Sequence, residues 1–355
     1  MASTTATRIF AGAGHFATKS GERYRGGLFR RTTDEDAWRA VTAGLPENVE
    51  ARAFLVDPRN SDVIYAGTQD GPYRSTDGGE RWERLGFPER NAVVWSMAFD
   101  PHDPNVMYAG TAPVALYRSE DGGDNWKKLT NAQSPEHCFM GSAFPTRTTR
   151  IAVDPARPDD IYACLEVSGV IRSADGGETW SDLSEPLIRL ADQPHLKSKI
   201  QSDTYSEGML DSHAIAVTGG RVFLAVRMGL FESEDRGKSW HDMQIGRFSP
   251  LVYCRDVIVS PQDPNVMYAC LSPASRSTDG SLYRSADQGK TWKRFDHGIK
   301  ANATMMSATV HSSDPKRVFC VSRCGEVFGT EDAGDTWREY KLPEGVQDVY
   351  AVACA

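Results

Sequence analysis

Three residues have the types and spacing that suit proton transfer. His213 follows Asp211 by two positions, which on an extended strand turns both side chains to one side and lets the carboxylate orient an imidazole as general base. Glu166 is the third acid–base candidate. Around them, Arg52, Arg227, Arg255 and Arg323 supply guanidinium forks, the geometry that grips a carboxylate, sulfate or phosphate with two parallel hydrogen bonds. Arg150 and Asp70 extend this polar set, and Trp95 offers a flat apolar face to a sugar or aromatic ring, or else fills space as core. A zinc-like divalent metal would find nitrogen ligands in His15, His137 and His213, although no HxH, HxxxH or CxxC spacing links them and only the fold could gather them. Each candidate has a plainer alternative: arginines paired with acids between elements, a histidine bonded to backbone, a glutamate solvated on a loop.

The elements that must position these side chains repeat. One phrase, S/T-x-D-x-G-x-x-W, returns six times, as in Tyr73–Leu85 (YRSTDGGERWERL), Ile171–Leu183 (IRSADGGETWSDL) and Tyr283–Phe295 (YRSADQGKTWKRF). A seventh copy, Phe29–Val41 (FRRTTDEDAWRAV), is one residue shorter and has Asp36 where the others have glycine. The seven tryptophans, from Trp38 to Trp337, fall 44 to 60 residues apart, the period of a four-stranded unit. Within each copy an alternating strand runs into Asp-x-Gly, a hairpin turn in which glycine takes positive φ and the Asp and Ser side chains accept backbone N–H groups. A second phrase precedes most copies, for example Val56–Gly67 (VDPRNSDVIYAG) and Phe99–Gly110 (FDPHDPNVMYAG), and reads as strand, turn, strand.

Seven such units predict an all-β chain: one seven-bladed β-propeller domain over residues 1–355, with four-stranded antiparallel blades. The first residues supply only three strands of their blade, beginning with Arg8–Ala13 (RIFAGA), and the last, Val349–Cys354 (VYAVAC), read as the missing inner strand. The first blade is therefore expected to close with N-terminal strands plus the C-terminal strand, removing the exposed edges of a linear array.

The six boxes resemble those of the BNR/Asp-box propeller superfamily, which includes sialidases, xyloglucan-degrading glycosidases, sortilin-type receptor ectodomains and a photosystem II assembly factor. The resemblance covers essentially the whole chain and implies a propeller whose boxes are scaffold, on the rim opposite the usual binding face. It implies no one reaction, because members share the box and not the chemistry. The Arg-Ile-Pro motif of sialidases is missing near the N-terminus, and a single propeller fits here where xyloglucan-degrading enzymes resemble two joined ones.

In such a ring the inner strands line a channel and loops gather at one mouth. Aligning those strands brings Arg52, Trp95, Thr149, His213, Arg255, Met306 and either Asp348 or Tyr350 to one level, with Arg147 and Arg150 flanking. Arg227, Arg323, Asp70, Glu166 and His15 join from neighbouring strands and loops. Two long insertions, 131–148 and 184–210, frame the same mouth, the second opening with a helix-like Ser-Glu-Pro start.

A formal charge of −8 argues against a nucleic-acid surface, and no apolar run is long enough to cross a membrane. There is no signal-like N-terminus, and the seven cysteines are odd in number and scattered, which fits a reducing cytoplasm. The expected function is an intracellular hydrolase or lyase acting on a small anionic, carbohydrate-related or carboxylate-bearing substrate. In that reading arginines hold the anion while His213, Asp211 or Glu166 move protons. The alternative is a non-catalytic propeller binding a protein partner or small ligand.

Overall fold

The computed structural model describes residues 6–14, 26–135, 145–198 and 206–355. Its strands form seven four-stranded antiparallel sheets, and six of these are built from strands consecutive in sequence. In the seventh, Val349–Cys354 pairs with Arg8–Ala13, which pairs with Gly27–Thr32 and then Arg39–Ala40. The two ends of the chain are thus stitched into one blade, with Ile9 opposite Cys354 and Ala11 opposite Val352. Among the described residues helix is confined to one turn and a half at Glu185–Leu190, opened by Pro186 as the sequence suggests, and two short 3₁₀ turns. No helix among the described residues is long and apolar enough to span a membrane.

The repeated phrase is a self-contained knot of hydrogen bonds. In all six regular boxes the hydroxyl of the first Ser or Thr accepts from the N–H of the second box glycine position at 2.7–2.9 Å. The aspartate accepts the backbone N–H four residues on at 2.8–3.0 Å. These bonds hold Asp175 and Asp332 down at about 2, with the Thr179 and Thr336 hydroxyls as their first contributors. Glycine is required where the box touches the next blade: Gly79 has φ +88°, and a Cβ there would meet the Phe10 ring at 2.4 Å.

Packing follows the same sevenfold rule. The core divides into seven apolar clusters, and each contains one of the box tryptophans. Trp82, for instance, packs with Phe10, Leu28 and Ala353 of the closing blade as well as Tyr73 of its own. Cys164, Cys270 and Cys320 are fully buried, and all six described cysteines are unpaired.

Ser173→Ala removes a buried acceptor from the Gly177 N–H and is expected to cost about 1–3 kcal/mol in urea denaturation. The acid limb has a defined sign. Because Asp332 titrates near 2 rather than its ordinary 3.8, its stabilisation is complete above the unfolded value and disappears as pH falls towards 2. Asp332→Asn should therefore shrink the drop in Tm between about pH 5 and pH 2.5; a profile identical to that of the parent protein contradicts this role.

Candidate functional site

The inner strand of every blade breaks register at the same level, and Thr148–Asp154 breaks a second time at its far end. The skipped residues are Arg52, Trp95, Thr149, His213, Arg255 and Met306 in blades two to seven, and Tyr350 in the closing strand. These are β-bulges, in which an extra residue re-aims its side chain out of the ladder. All seven side chains line one axial cavity of about 360 Å³. The level at which the sequence aligns these strands is thus a ring of bulges, and Tyr350 rather than Asp348 is its seventh member.

Four members of the ring, His213, Arg255, Met306 and Tyr350, also line a mouth cavity of about 250 Å³. Its walls are strongly charged, and most of the charge is answered. Arg147 pairs with Glu166 at 3.0 Å. Arg227 pairs with Asp211 at 2.7 Å and more distantly with Glu207. Arg323 pairs with Asp348 at 2.6 Å. Arg255 is different: no carboxylate among the described residues lies within 4 Å of its guanidinium. Burial pulls its pKa down, but the negative groups around it, Tyr253 once ionised and the carboxylates of Glu166 and Asp211, outweigh it and raise the pKa above its ordinary value.

His213 is locked in place. Its Nδ1 lies 2.8 Å from the carbonyl oxygen of Cys254, which can only accept, so Nδ1 carries a proton. Nε2 then faces the Tyr253 hydroxyl at 3.3 Å and Asp211 Oδ2 at 3.4 Å. Burial alone would push the Asp211 carboxyl up; the His213 ring and the Arg227 and Arg255 charges overcome it and hold Asp211 below the usual carboxylate range. Burial pushes Tyr253 up to about 12, so its phenol stays protonated at neutral pH. Tyr253, His213 and Asp211 form a chain along which a proton can pass beside an unpaired cation.

Other sequence candidates sit elsewhere. Arg150 points down the channel to Asp256 at 2.5 Å and does not line the mouth; Arg147, two residues before the bulged Thr149, holds that place. Asp70 lines neither cavity, because it accepts from Tyr73 at 3.0 Å and sits 3.4 Å from Arg84. Trp95 has no open face for a sugar: the Arg52 and Arg147 guanidinium groups lie 4.5 and 4.3 Å from its ring, Tyr350 meets it edge-on at 5.2 Å, and it is 7% exposed. Arg52 itself is paired with Glu50, lines the channel and not the mouth, and keeps buried Nε and Nη1 groups without acceptors. Of the metal trio, His15 and His137 lie outside the described residues, and no group of three metal-ligating side chains exists among the described ones.

Sequence reading missed Tyr253, Glu207 and Arg276, all of which line the mouth. Tyr253 was findable, two positions before Arg255 on the same strand and so on the same side. Arg276 lies in the connection between Met267–Ser272 and Ser281–Ser285, eight residues long where the blade carrying Ile64–Thr68 and Gly71–Ser75 uses two.

A family model described as BNR-Asp box repeat matches residues 230–243, which is one of the six boxes whose hydrogen bonds are given above. The chain is an Asp-box β-propeller. A second model, described as sortilin, neurotensin receptor 3, matches residues 280–353 of this Asp-box propeller. Xyloglucanase Xgh74A of Acetivibrio thermocellus is 23% identical over 311 residues, which are 81% of this chain and 31% of that enzyme. A xyloglucanase of Hypocrea jecorina is 25% identical over 351 residues, 88% and 35% of the two chains. The propeller thus spans about a third of the length of the curated relatives it matches. Among solved structures, the GH74 xyloglucanase of Xanthomonas campestris has a TM-score of 0.62 at 20% identity, covering 93% of this chain and 51% of its own. YCF48 of Cyanidioschyzon merolae has a TM-score of 0.57 at 15% identity, with 86% and 90% covered.

Arg227→Ala leaves the Asp211 charge buried without its main counter-ion. The expected loss is about 3–5 kcal/mol in chemical denaturation, and a loss below about 1 kcal/mol would mean that water reaches the pair.

Proposed function

We propose that this propeller is a hydrolase or lyase acting on a small, carbohydrate-related, carboxylate-bearing substrate at its mouth. The observation that carries the reading is Arg255, a cation on the channel ring that lacks a counter-ion among the described residues while Arg147, Arg227 and Arg323 each have one. A half-buried cation of this kind is most stable when an anion completes it, and a planar carboxylate matches the guanidinium fork. Carbohydrate is the favoured scaffold because the relatives similar over most of this chain are named as xyloglucanases.

In the proposed reaction Arg255 binds the carboxylate, and Arg227 answers the Asp211 charge beside it. Tyr253 is the proton donor at the cavity wall, since its phenol is protonated at neutral pH. His213 enters the step as an imidazolium stabilised by Asp211, returns its Nε2 proton to the tyrosinate that Tyr253 leaves behind, and ends neutral. Glu166 keeps Arg147 in place and is a positioning residue in this scheme. A reducing, cytoplasmic setting belongs to the same proposal and is supported by the six unpaired thiols. The second reading, a non-catalytic propeller with a ligand or protein at its mouth, draws support from the mouth-wall acids Asp211, Glu166 and Glu207 all being tied to arginines.

A panel of uronates and neutral sugars should be tested for binding by calorimetry and for turnover. Arg255→Ala is expected to weaken uronate binding roughly 10–100-fold, the value of one charge-assisted pair. His213→Ala should abolish turnover while preserving most of the binding. Turnover unchanged in both variants refutes this site; binding without turnover in the parent protein supports the non-catalytic reading.

A further inference from the structure

The mouth cavity does not end at its outer arginines. Arg276 and Arg323 also line a second cavity of about 390 Å³, walled otherwise by Ser277, Thr278, Ala303, Cys324, Gln347 and Asp348. Arg323 forms a fixed partition between the two. Its Nε and Nη2 both bond Asp348 Oδ1, at 2.7 and 2.6 Å, and its Nη1 donates to the Ser275 carbonyl at 3.0 Å. Asp348 is itself held in place, in a left-handed backbone conformation with φ +51°.

The two cavities differ in the chemistry they offer. The inner one contains the unpaired guanidinium of Arg255, and nothing in the outer one repeats it: Arg323 is already neutralised by Asp348. What the outer cavity adds is neutral donors and acceptors on Thr278 and Gln347, beside the small apolar Ala303. One unanswered positive charge suits one negative charge. A phosphomonoester would bring a second charge that finds no free partner, whereas a carboxylate brings one and matches the fork.

Granted the mouth reading given above, we propose that the ligand is an acidic oligosaccharide taken acid end first. The terminal uronate occupies the inner cavity with its carboxylate on Arg255. The adjoining neutral sugar crosses the Arg276–Arg323 partition and rests in the outer cavity, where Thr278 and Gln347 meet its hydroxyls. The polarity follows from the order of the cavities: the ring of bulges bounds the inner one, while the outer one lies beyond the arginines towards the loops.

Calorimetric titration of the whole protein with three probes tests this: glucuronate, a glucuronosyl-xylose disaccharide, and xylobiose. The disaccharide is expected to bind about tenfold more tightly than glucuronate, the worth of one or two added neutral hydrogen bonds, and xylobiose to bind far more weakly than either. Thr278→Trp, which fills the outer cavity, should bring the disaccharide down to the affinity of glucuronate. Gln347→Ala should narrow the same gap should the bulkier variant fail to fold, and an unchanged melting temperature shows that each variant is intact. Equal affinities for glucuronate and the disaccharide in the parent protein overturn the two-cavity inference while leaving the mouth reading in place. Xylobiose binding as tightly as the disaccharide overturns the acid-first placement. No binding of either uronate removes the mouth reading, and this inference with it.

Discussion

Everything at the mouth depends on the antiparallel pairing of Val349–Cys354 with Arg8–Ala13. That ladder does more than join two ends. The closing strand contributes Tyr350 to the channel ring, and the residue just before it, Asp348, neutralises Arg323. A second strand contact ties the closing strand to its neighbour blade through Arg323, whose carbonyl accepts the Val349 N–H at 3.2 Å. The strand that closes the ring therefore also completes the mouth, because it brings the seventh ring residue with a counter-ion just before it.

The electrostatics of the mouth show how a protein with net charge −8 can present a local cation. Guanidinium groups crowd the ring, and nearly all are stabilised where they are made: Arg52 by Glu50, Arg147 by Glu166, Arg227 by Asp211, Arg323 by Asp348. Each pair resolves a desolvation cost locally and sends little field outwards. Arg255 has only distant partners, so its field reaches the cavity. The acids that flank it are committed to holding other arginines, while burial keeps the Tyr253 phenol protonated at neutral pH.

How much of this was legible in the sequence depended on whether a residue repeats. The boxes repeat, so the blade count, the four-strand unit and the closure could all be read from residues such as Trp38 to Trp337 and the unmatched strands at the two ends. The ring was legible one step less directly, since aligning repeats locates a level without revealing that it is bulged. The bulge bears on the exchange of Arg150 for Arg147: Arg150 follows the skipped Thr149 and returns to the ladder opposite Cys164, while Arg147 stands just before the strand, at the mouth. Asp70 was misplaced for another reason, because its loop is only two residues long and its carboxylate is taken by Tyr73 and Arg84. Glu207 and Arg276 come from long connections, where no repeat exists to align.

The seven bulges separate recognition from architecture. A side chain at a bulge has left the ladder, so the strand pairing does not depend on its identity; Met306 and Tyr350 also pack into the cluster around Trp38, and the seven positions already hold an Arg, a Trp, a Thr, a His, a second Arg, a Met and a Tyr. The scaffold thus behaves like a seven-character lock whose tumblers can be recut one at a time. Gene duplication of such a chain could explore new ligands by changing single letters on this ring, with the boxes on the repeating phrase keeping the frame intact throughout.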